Sequence, residues 1–341
     1  MKSFIKFAVL ALCLASILVL IAGCSKRSEQ TGMTTGDAPS NITPKPVGPK
    51  VAGIVFQEDQ YFKMVEYGMK TTAEKYGIEL KLQNTANSQD KEVNFIDTYI
   101  ADKVAAICIA PLSAKASIAP LKRAHEAGIK IVTFDSSIDA DFPVSSIKSD
   151  QVDLGRNTGI ACREYIKSKL NGKAKIAILQ YKSLLPEPSG QRVKGFLDEV
   201  KQLPGVKIVA NQDAWEAAPA TDKATSIITA NPDVNIIWSA NEGGTVGSVM
   251  AVKNAGKAGK IVVFGTDMSE QLANFLTDSE NILQAVTAQK PLEIGRAAIE
   301  NVMKAIKGEK VEKKIALKGI LYTRQDTKAI DEFKKMVKDI K

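Results

Sequence analysis

Ile131-Val132-Thr133-Phe134-Asp135 is an apolar run that ends in a carboxylate. Helix-like Leu121–Gly128 precedes it and Ser136-Ser137 follows. A short apolar run between helical segments is the pattern of a parallel strand buried on both faces. Two further runs end the same way: Ile236-Ile237-Trp238-Ser239-Ala240-Asn241 and Ile261-Val262-Val263-Phe264-Gly265-Thr266-Asp267. In open α/β sheets, ligands bind at the carboxyl ends of the strands. Asp135, Asn241 and Asp267 therefore stand where ligand-facing groups belong. Asp and Asn are also favoured as helix N-caps, so each strand end has a purely structural reading too. Three such ends on one chain favour a polar site.

Outward from this run, strand and helix patterns alternate from Val51 onward. The expected strands are Val51–Phe56, Ile78–Leu82, Val104–Ala110 and Lys130–Phe134, with helices near 60–76, 89–102 and 114–127. In the first helix Phe62, Val65, Met69, Ala73 and Tyr76 recur at helical spacing and define a core face. After Ser145–Asp150 a second series begins, with strands at Lys175–Gln180, Val206–Ala210, Asn235–Ser239 and Lys260–Phe264. Its helices fall near 151–170, 189–202, 220–230 and 243–256. The order implies parallel sheets with right-handed crossovers. Two series of roughly 100 residues, a common domain size, imply two similar α/β lobes. Asn281–Ala288, a helix at 291–307, Ile315–Tyr322 and a final helix near 325–339 must join one lobe or the other.

The amino terminus has a different composition. Lys2 and Lys6 precede an almost purely apolar run from Phe7 to Ala22, short for a spanning helix and typical of an export signal. It ends in Leu20-Ile21-Ala22-Gly23-Cys24, which resembles the lipobox of bacterial lipoproteins. That resemblance implies cleavage before Cys24 and lipidation there, the alternative being an uncleaved N-terminal anchor helix. Residues 1–23 are thus expected to be a signal peptide. Residues 24–50, rich in Ser, Thr, Gly and Pro, are expected to be a disordered tether. The chain would then sit lipid-anchored at the cell envelope. Cys108 lies in an apolar strand and Cys162 in a helix, and both read as buried free thiols.

Composition excludes several function classes. The net charge is +8, but the basic residues are scattered, with no basic run interleaved with aromatics, which argues against nucleic acid as a partner. The single His, His125, has no His or Cys at ligand spacing, so no metal site is expected. There is no G-x-G-x-x-G after the first strand, no Walker loop, no G-x-S-x-G elbow and no H-E-x-x-H. No catalytic residue and no cofactor are expected. An exported, tethered, two-lobed α/β protein without catalytic parts reads as a binding protein, not an enzyme.

The region from Val51 to about Thr323 resembles the periplasmic sugar-binding proteins related to the ribose-binding protein. The motifs are Val51–Phe56 followed by Tyr61-Phe62, Ile131–Asp135, Ser149-Asp150 with Gly155, and Arg192-Val193-Lys194-Gly195-Phe196. Further matches are Asn231-Pro232-Asp233-Val234 leading to Asn241, Val263–Asp267, and Lys307-Gly308-Glu309-Lys310. The resemblance implies two Rossmann-like lobes joined by three crossovers, near 150, 288 and 318. Residues 51–150 with 289–317 would form one lobe, and 151–288 with 318–341 the other. It also implies a substrate-binding lipoprotein of an ABC importer, monomeric, that closes on its ligand and presents it to the membrane permease. Carried over by motif, the cleft residues are Asp59, Tyr61, Phe62, Asp135 and Ser136, then Arg192, Trp215, Asn241, Asp267 and Gln289.

The chain departs from the pattern in places. Many pentose and hexose binders carry Arg directly after the strand-end Asp, where this chain has Ser136. Asp59-Gln60 stands where Asn-Pro is frequent, and the loop Tyr181–Gly190 contains Pro186 and Pro188. A polyol, a cyclitol, another monosaccharide or a furanosyl signalling molecule stays open as ligand. The excess of carboxylates points to a neutral sugar or polyol, and Arg192 opposes a cation. A sensory receptor acting on a membrane kinase or chemoreceptor is the alternative role. A transcriptional regulator of the same fold would need a helix-turn-helix where the signal and tether stand. The lipobox predicts that Cys24→Ser abolishes lipid labelling and releases the protein from the membrane fraction. A variant that still partitions into detergent like wild type would refute lipid anchoring.

Overall fold

The computed structural model describes residues 48–340. The expected signal peptide, Cys24 and nearly all of the tether lie outside the described residues. Among the described residues, no helix is long and apolar enough to cross a membrane.

The core is two six-stranded sheets of like order. The first runs β11(Lys314–Leu317), β5(Ser145–Ser149), β4(Lys130–Phe134), β3(Ala106–Ile109), β1(Lys50–Val55), β2(Glu79–Asn84). The second runs β12(Ile320–Thr323), β10(Leu283–Ala288), β9(Val262–Thr266), β8(Ile236–Ser239), β6(Lys173–Gln180), β7(Gly205–Asp213). Every pairing is parallel except β10 with β12, so the second sheet ends in one antiparallel edge strand. The central strands β3, β4, β8 and β9 are almost wholly buried apolar runs. They require cover on both faces, and helices supply it.

In the first lobe α1(Gln60–Tyr76) and α9(Pro291–Ile306) cover one face, with Phe62, Val65, Met69, Ile294, Ala298 and Val302 in one cluster. On the other face Ile96 and Tyr99 of α2(Gln89–Ala101) and Leu121 and Ala124 of α3(Ile118–Glu126) pack on Ile54, Ile107 and Ile131. In the second lobe α4(Gln151–Lys169) and α5(Pro186–Val200) line one face. There Trp238 stacks on Phe196 at 4.4 Å and its indole N–H donates to Thr158 Oγ1 at 2.9 Å. On the opposite face lie α6(Ala217–Ala230), α7(Glu242–Asn254), α8(Glu270–Thr277) and α10(Thr327–Ile340).

The chain passes between the sheets three times, from β5 into α4, from β10 into α9, and from β11 into β12. Ile315–Tyr322, which reads as one strand, is two. Its first half pairs with β5 and its second with β10, so one apolar run serves both sheets. At the break, Gly319 donates its N–H to Asp153 Oδ2 at 2.9 Å. Helix α8 is absent from the sequence expectation. Ser269 caps it by accepting from Leu272 N at 3.3 Å, and Leu272, Ala273 and Leu276 are its buried face. Cys108 and Cys162 are buried free thiols.

Helix pairs α1–α9 and α4–α5 close up on glycines. A Cβ at Gly295 would overlap the Val65 carbonyl, and one at Gly68 the Leu292 carbonyl. Gly155 and Gly195 stand in the same relation to the Arg192 and Val152 carbonyls. Gly295→Ala is therefore expected to destabilise by about 1–3 kcal/mol through overpacking. Gly190→Ala, in an open helical position with nothing nearby, should be neutral or stabilising by up to about 1 kcal/mol. Chemical denaturation of both variants checks this, and equal stability would contradict the close packing.

Candidate ligand-binding cleft

Apart from Arg192, which lies within α5, the candidate residues lie just beyond the carboxyl ends of strands, at the helix starts that follow them, or at the crossovers. The three Asp/Asn strand ends that the sequence singles out resolve into two kinds. Asn241 is a helix cap, its Oδ1 accepting from Gly244 N at 3.2 Å at the start of α7. Asp135 and Asp267 are not caps. Both have left-handed backbone, with φ of 61° and 68°. Each donates its backbone N–H to the neighbouring strand, Asp135 to Ile147 O at 2.9 Å and Asp267 to Thr287 O at 2.8 Å. A left-handed Asp costs conformational energy, and the same arrangement occurs after β4 and after β9. The two sheets thus present one carboxylate each at equivalent positions.

Asp135 accepts a hydrogen bond from the Tyr61 hydroxyl at 2.8 Å. Tyr61 is the second residue of α1, whose cap is Asp59, with Asp59 Oδ1 accepting from Phe62 N at 2.9 Å. Phe62 itself is core: it is buried, edge-on to Phe56 at 4.6 Å and to Tyr61 at 5.1 Å. It supports the Tyr61 ring from behind. Burial pushes the Asp135 carboxyl above its ordinary value, the Tyr61 bond and Arg192 pull it down, and Asp267 and Asp59 push it up again. Burial raises the Tyr61 phenol strongly, and the Asp135 charge adds to this. Asp267 and Arg192, from the second lobe, also act on Tyr61. The charged groups of the two lobes are thus near enough to act on one another.

Arg192 enters from α5 with its side chain 5 % exposed. Its Nη1 donates to Asp267 Oδ2 at 2.6 Å and to the Ala240 carbonyl at 2.8 Å, and its Nε to Gln151 Oε1 at 2.7 Å. The guanidinium carbon lies 5.2 Å from the centre of the Tyr181 ring. Burial works against the Arg192 charge, but Asp267, Tyr181 and Asp135 outweigh it and raise its pKa. Gln289 donates from Nε2 to Asp267 Oδ1 at 2.9 Å and accepts from the Ser149 hydroxyl at 2.7 Å. Ser149 and Gln289 sit at two of the crossovers, and Gln151 starts α4. One chain of bonds therefore runs from the crossovers into the cleft: Ser149, Gln289, Asp267, Arg192, Gln151.

Of the ten candidates, this geometry brings together Tyr61 with Asp135, and Arg192 with Asp267 and Gln289. Asn241 and Trp215 form a further pair, Asn241 Nδ2 donating to the Trp215 carbonyl at 2.8 Å, with Trp215 36 % exposed. Asp59 stands at the start of α1. Ser136 is turned elsewhere, its hydroxyl donating to the Pro111 carbonyl at 2.7 Å. Sequence reasoning missed Gln151, Tyr181 and Glu242. Glu242 follows Asn241 at the start of α7, and its carboxyl is raised by burial, lowered by a bond with Ser269, and raised by Asp267 and Asp59. Its adjacency to Asn241 was the available signal. Among the described residues, no group of His, Cys, Asp and Glu is arranged to hold a metal ion. A recess of about 370 Å³ opens beside the cleft at the β1–β2 edge, lined by Phe56, Gln57, Glu58, Asn84, Ala86 and Asn87. It contains none of the ten candidates.

Two sheets of this order, three crossovers and a polar cleft between them are the arrangement of a solute-binding protein. Residues 53–310 match the family model described as periplasmic binding protein domain, and the chain belongs to that family. It is 32% identical over 283 residues to the ABC transporter periplasmic-binding protein YphF of Escherichia coli, spanning 80% of this chain and 86% of that one. It is 31% identical over 215 residues to the D-allose-binding periplasmic protein of Escherichia coli, spanning 60% of this chain and 67% of the relative. Among solved structures, an ABC transporter periplasmic solute-binding protein from Actinobacillus succinogenes with bound D-allose superposes with a TM-score of 0.74 at 28% identity, covering 83% of this chain and 100% of that one. The chain is a solute-binding transport protein of extracytoplasmic type, not an enzyme.

The raised Asp135 carboxyl has a stability consequence. A carboxyl whose folded pKa lies above its unfolded value contributes stability at low pH. That contribution is lost as pH rises from the ordinary value, near 3.8, through the raised one. At neutral pH the raised Asp135 pKa is a cost to the unliganded fold. Asp135→Asn keeps an acceptor for Tyr61 and removes the charge. It should raise the melting temperature of the unliganded protein at neutral pH, with a gain that shrinks towards acid pH. It should also weaken ligand binding at least about tenfold, which is 1.4 kcal/mol. A lower melting temperature with unchanged affinity would contradict the placement of Asp135 in the cleft.

Proposed function

We propose that the chain captures a monosaccharide or polyol between its lobes and delivers it to the permease of an ABC importer, held at the membrane by a lipid on Cys24. In this reading residues 51–150 with 289–317 and residues 151–288 with 318–341 move as two bodies about the crossovers. The candidates other than Ser136 line the closed cleft directly or support the groups that do. The observation that carries the reading is the facing pair of strand-end carboxylates, Asp135 with its Tyr61 donor and Asp267 with Arg192 and Gln289.

Sugar hydroxyls both donate and accept, so they suit carboxylates on one side and a guanidinium on the other. The exposed Trp215 ring offers an apolar face for the C–H side of a sugar ring. The relatives with bound D-allose and with alpha-D-tagatopyranose, the latter from Agrobacterium vitis at 26% identity, support a ligand of this size and polarity.

An anionic ligand would meet carboxylates that cannot donate. Its burial beside Asp135, Asp267 and Asp59 would cost several kcal/mol. Calorimetric titration with a hexose that binds and its 6-phosphate is expected to show binding of the hexose alone. Tighter binding of the phosphate would overturn both the sugar reading and the residue roles.

A further inference from the structure

The recess at the β1–β2 edge is built from residues that lead directly into the cleft. Phe56, Gln57 and Glu58 line it, and the chain continues from them into Asp59 and Tyr61. The Phe56 ring meets Phe62 at 4.6 Å, and Phe62 meets Tyr61 at 5.1 Å. A row of three rings therefore joins the recess to the Tyr61–Asp135 pair. The rest of the lining, Asn84, Ala86 and Asn87, belongs to a tied turn. Ala86 donates its N–H to Asn84 Oδ1 at 2.8 Å, Asn87 to the Phe56 carbonyl at 2.9 Å and Ser88 to the Thr85 carbonyl at 3.0 Å. Ala86 and Asn87 hold left-handed backbone, with φ of 49° and 59°, which costs energy in residues other than glycine. Thr85, in the same turn, is fully buried and its hydroxyl has no partner among the described residues. Among those residues the side chains of Gln57, Glu58 and Asn87 have no hydrogen-bond or ion-pair partner either, nor has the amide nitrogen of Asn84.

Resting on the sugar reading above, we propose that this recess is an outer subsite for a second sugar ring, so that the preferred ligand is a disaccharide or similar glycoside. The lining offers one aromatic ring, three amides and a carboxylate. An aromatic face covers the C–H side of a sugar ring. Amides donate to and accept from hydroxyls, and a carboxylate accepts from them. The volume of about 370 Å³ lies at the lower end of the range of ligand pockets, which suits one ring and not a long chain. The inner ring belongs at Tyr61 and Asp135, and the row of rings from Tyr61 to Phe56 marks the path from one subsite to the other. A free monosaccharide still binds at the inner position. The second ring adds to that binding.

The test is calorimetry on the full mature chain. The pairs are D-galactose with melibiose and with lactose, D-glucose with trehalose and with maltose, and myo-inositol with galactinol. Methyl glycosides of galactose and glucose are controls that carry a substituent too small to fill the recess. In at least one pair the two-ring sugar should bind about tenfold or more tighter than its parent, equivalent to 1.4 kcal/mol, and the methyl glycoside should show no such gain. The ratio of the two affinities should collapse in the double variant Gln57→Ala with Asn87→Gly, which keeps the left-handed turn and removes two unpartnered side chains. A general loss of folded protein cancels in that ratio. Parents that bind as tightly as their two-ring partners in every pair would overturn the proposal and leave the sugar reading standing. So would a ratio that survives the double substitution. Absence of binding by every parent and every two-ring sugar would overturn both.

Discussion

The ion pair between Arg192 and Asp267 is the interaction on which the site depends. Taking a guanidinium and a carboxylate out of water is costly, and the pair holds only with its remaining hydrogen-bonding positions filled. Ala240 and Gln151 fill them on the arginine, and Gln289 on the aspartate. Gln289 in turn is held by Ser149. The partners come from α5, the β8 end, the β9 end and two crossovers, so the pair has its geometry only when the second lobe and the hinge are assembled. Loss of one member would leave the other as an uncompensated buried charge, a cost of about 3–5 kcal/mol in comparable cases. The site is thus part of the structure that joins the lobes.

The first lobe solves the same problem without a cation. Asp135 has the backbone conformation of Asp267 and the same bond to its neighbouring strand. Its partner is a phenol, Tyr61, and the adjacent Ser136 faces Pro111. A neutral donor leaves the carboxylate charge in place. One pseudo-symmetric scaffold therefore carries one carboxylate in a direct ion pair and one bonded to a neutral phenol.

Much of this was legible in the sequence because buried parallel strands are written as short apolar runs. Lys130–Phe134 was located to the residue, and the alternation of strand and helix gave both sheets. What was not legible depends on tertiary partners. Ile315–Tyr322 reads as one strand because its composition is uniform. Only the sheets reveal that β11 belongs to one and β12 to the other. Helix α8 is too short at 8 residues to show periodicity. Asn241 and Asp267 look alike as strand ends, yet one caps a helix and the other receives Arg192. Glu242 carries no signal of its own in the sequence, because an acidic residue at a helix start has an ordinary explanation in the helix dipole.

In the proposed reading, the bonds that tie the crossovers to Asp267 and Arg192 couple filling of the cleft to closure of the lobes. Small-angle X-ray scattering of the mature chain, with and without the sugar that gives the largest thermal shift, tests this most directly. The radius of gyration should fall on ligand addition in wild type, and the fall should be lost in Arg192→Met at the same sugar concentration. A radius of gyration that stays constant in wild type while calorimetry shows the site filled would contradict a closing two-lobed receptor.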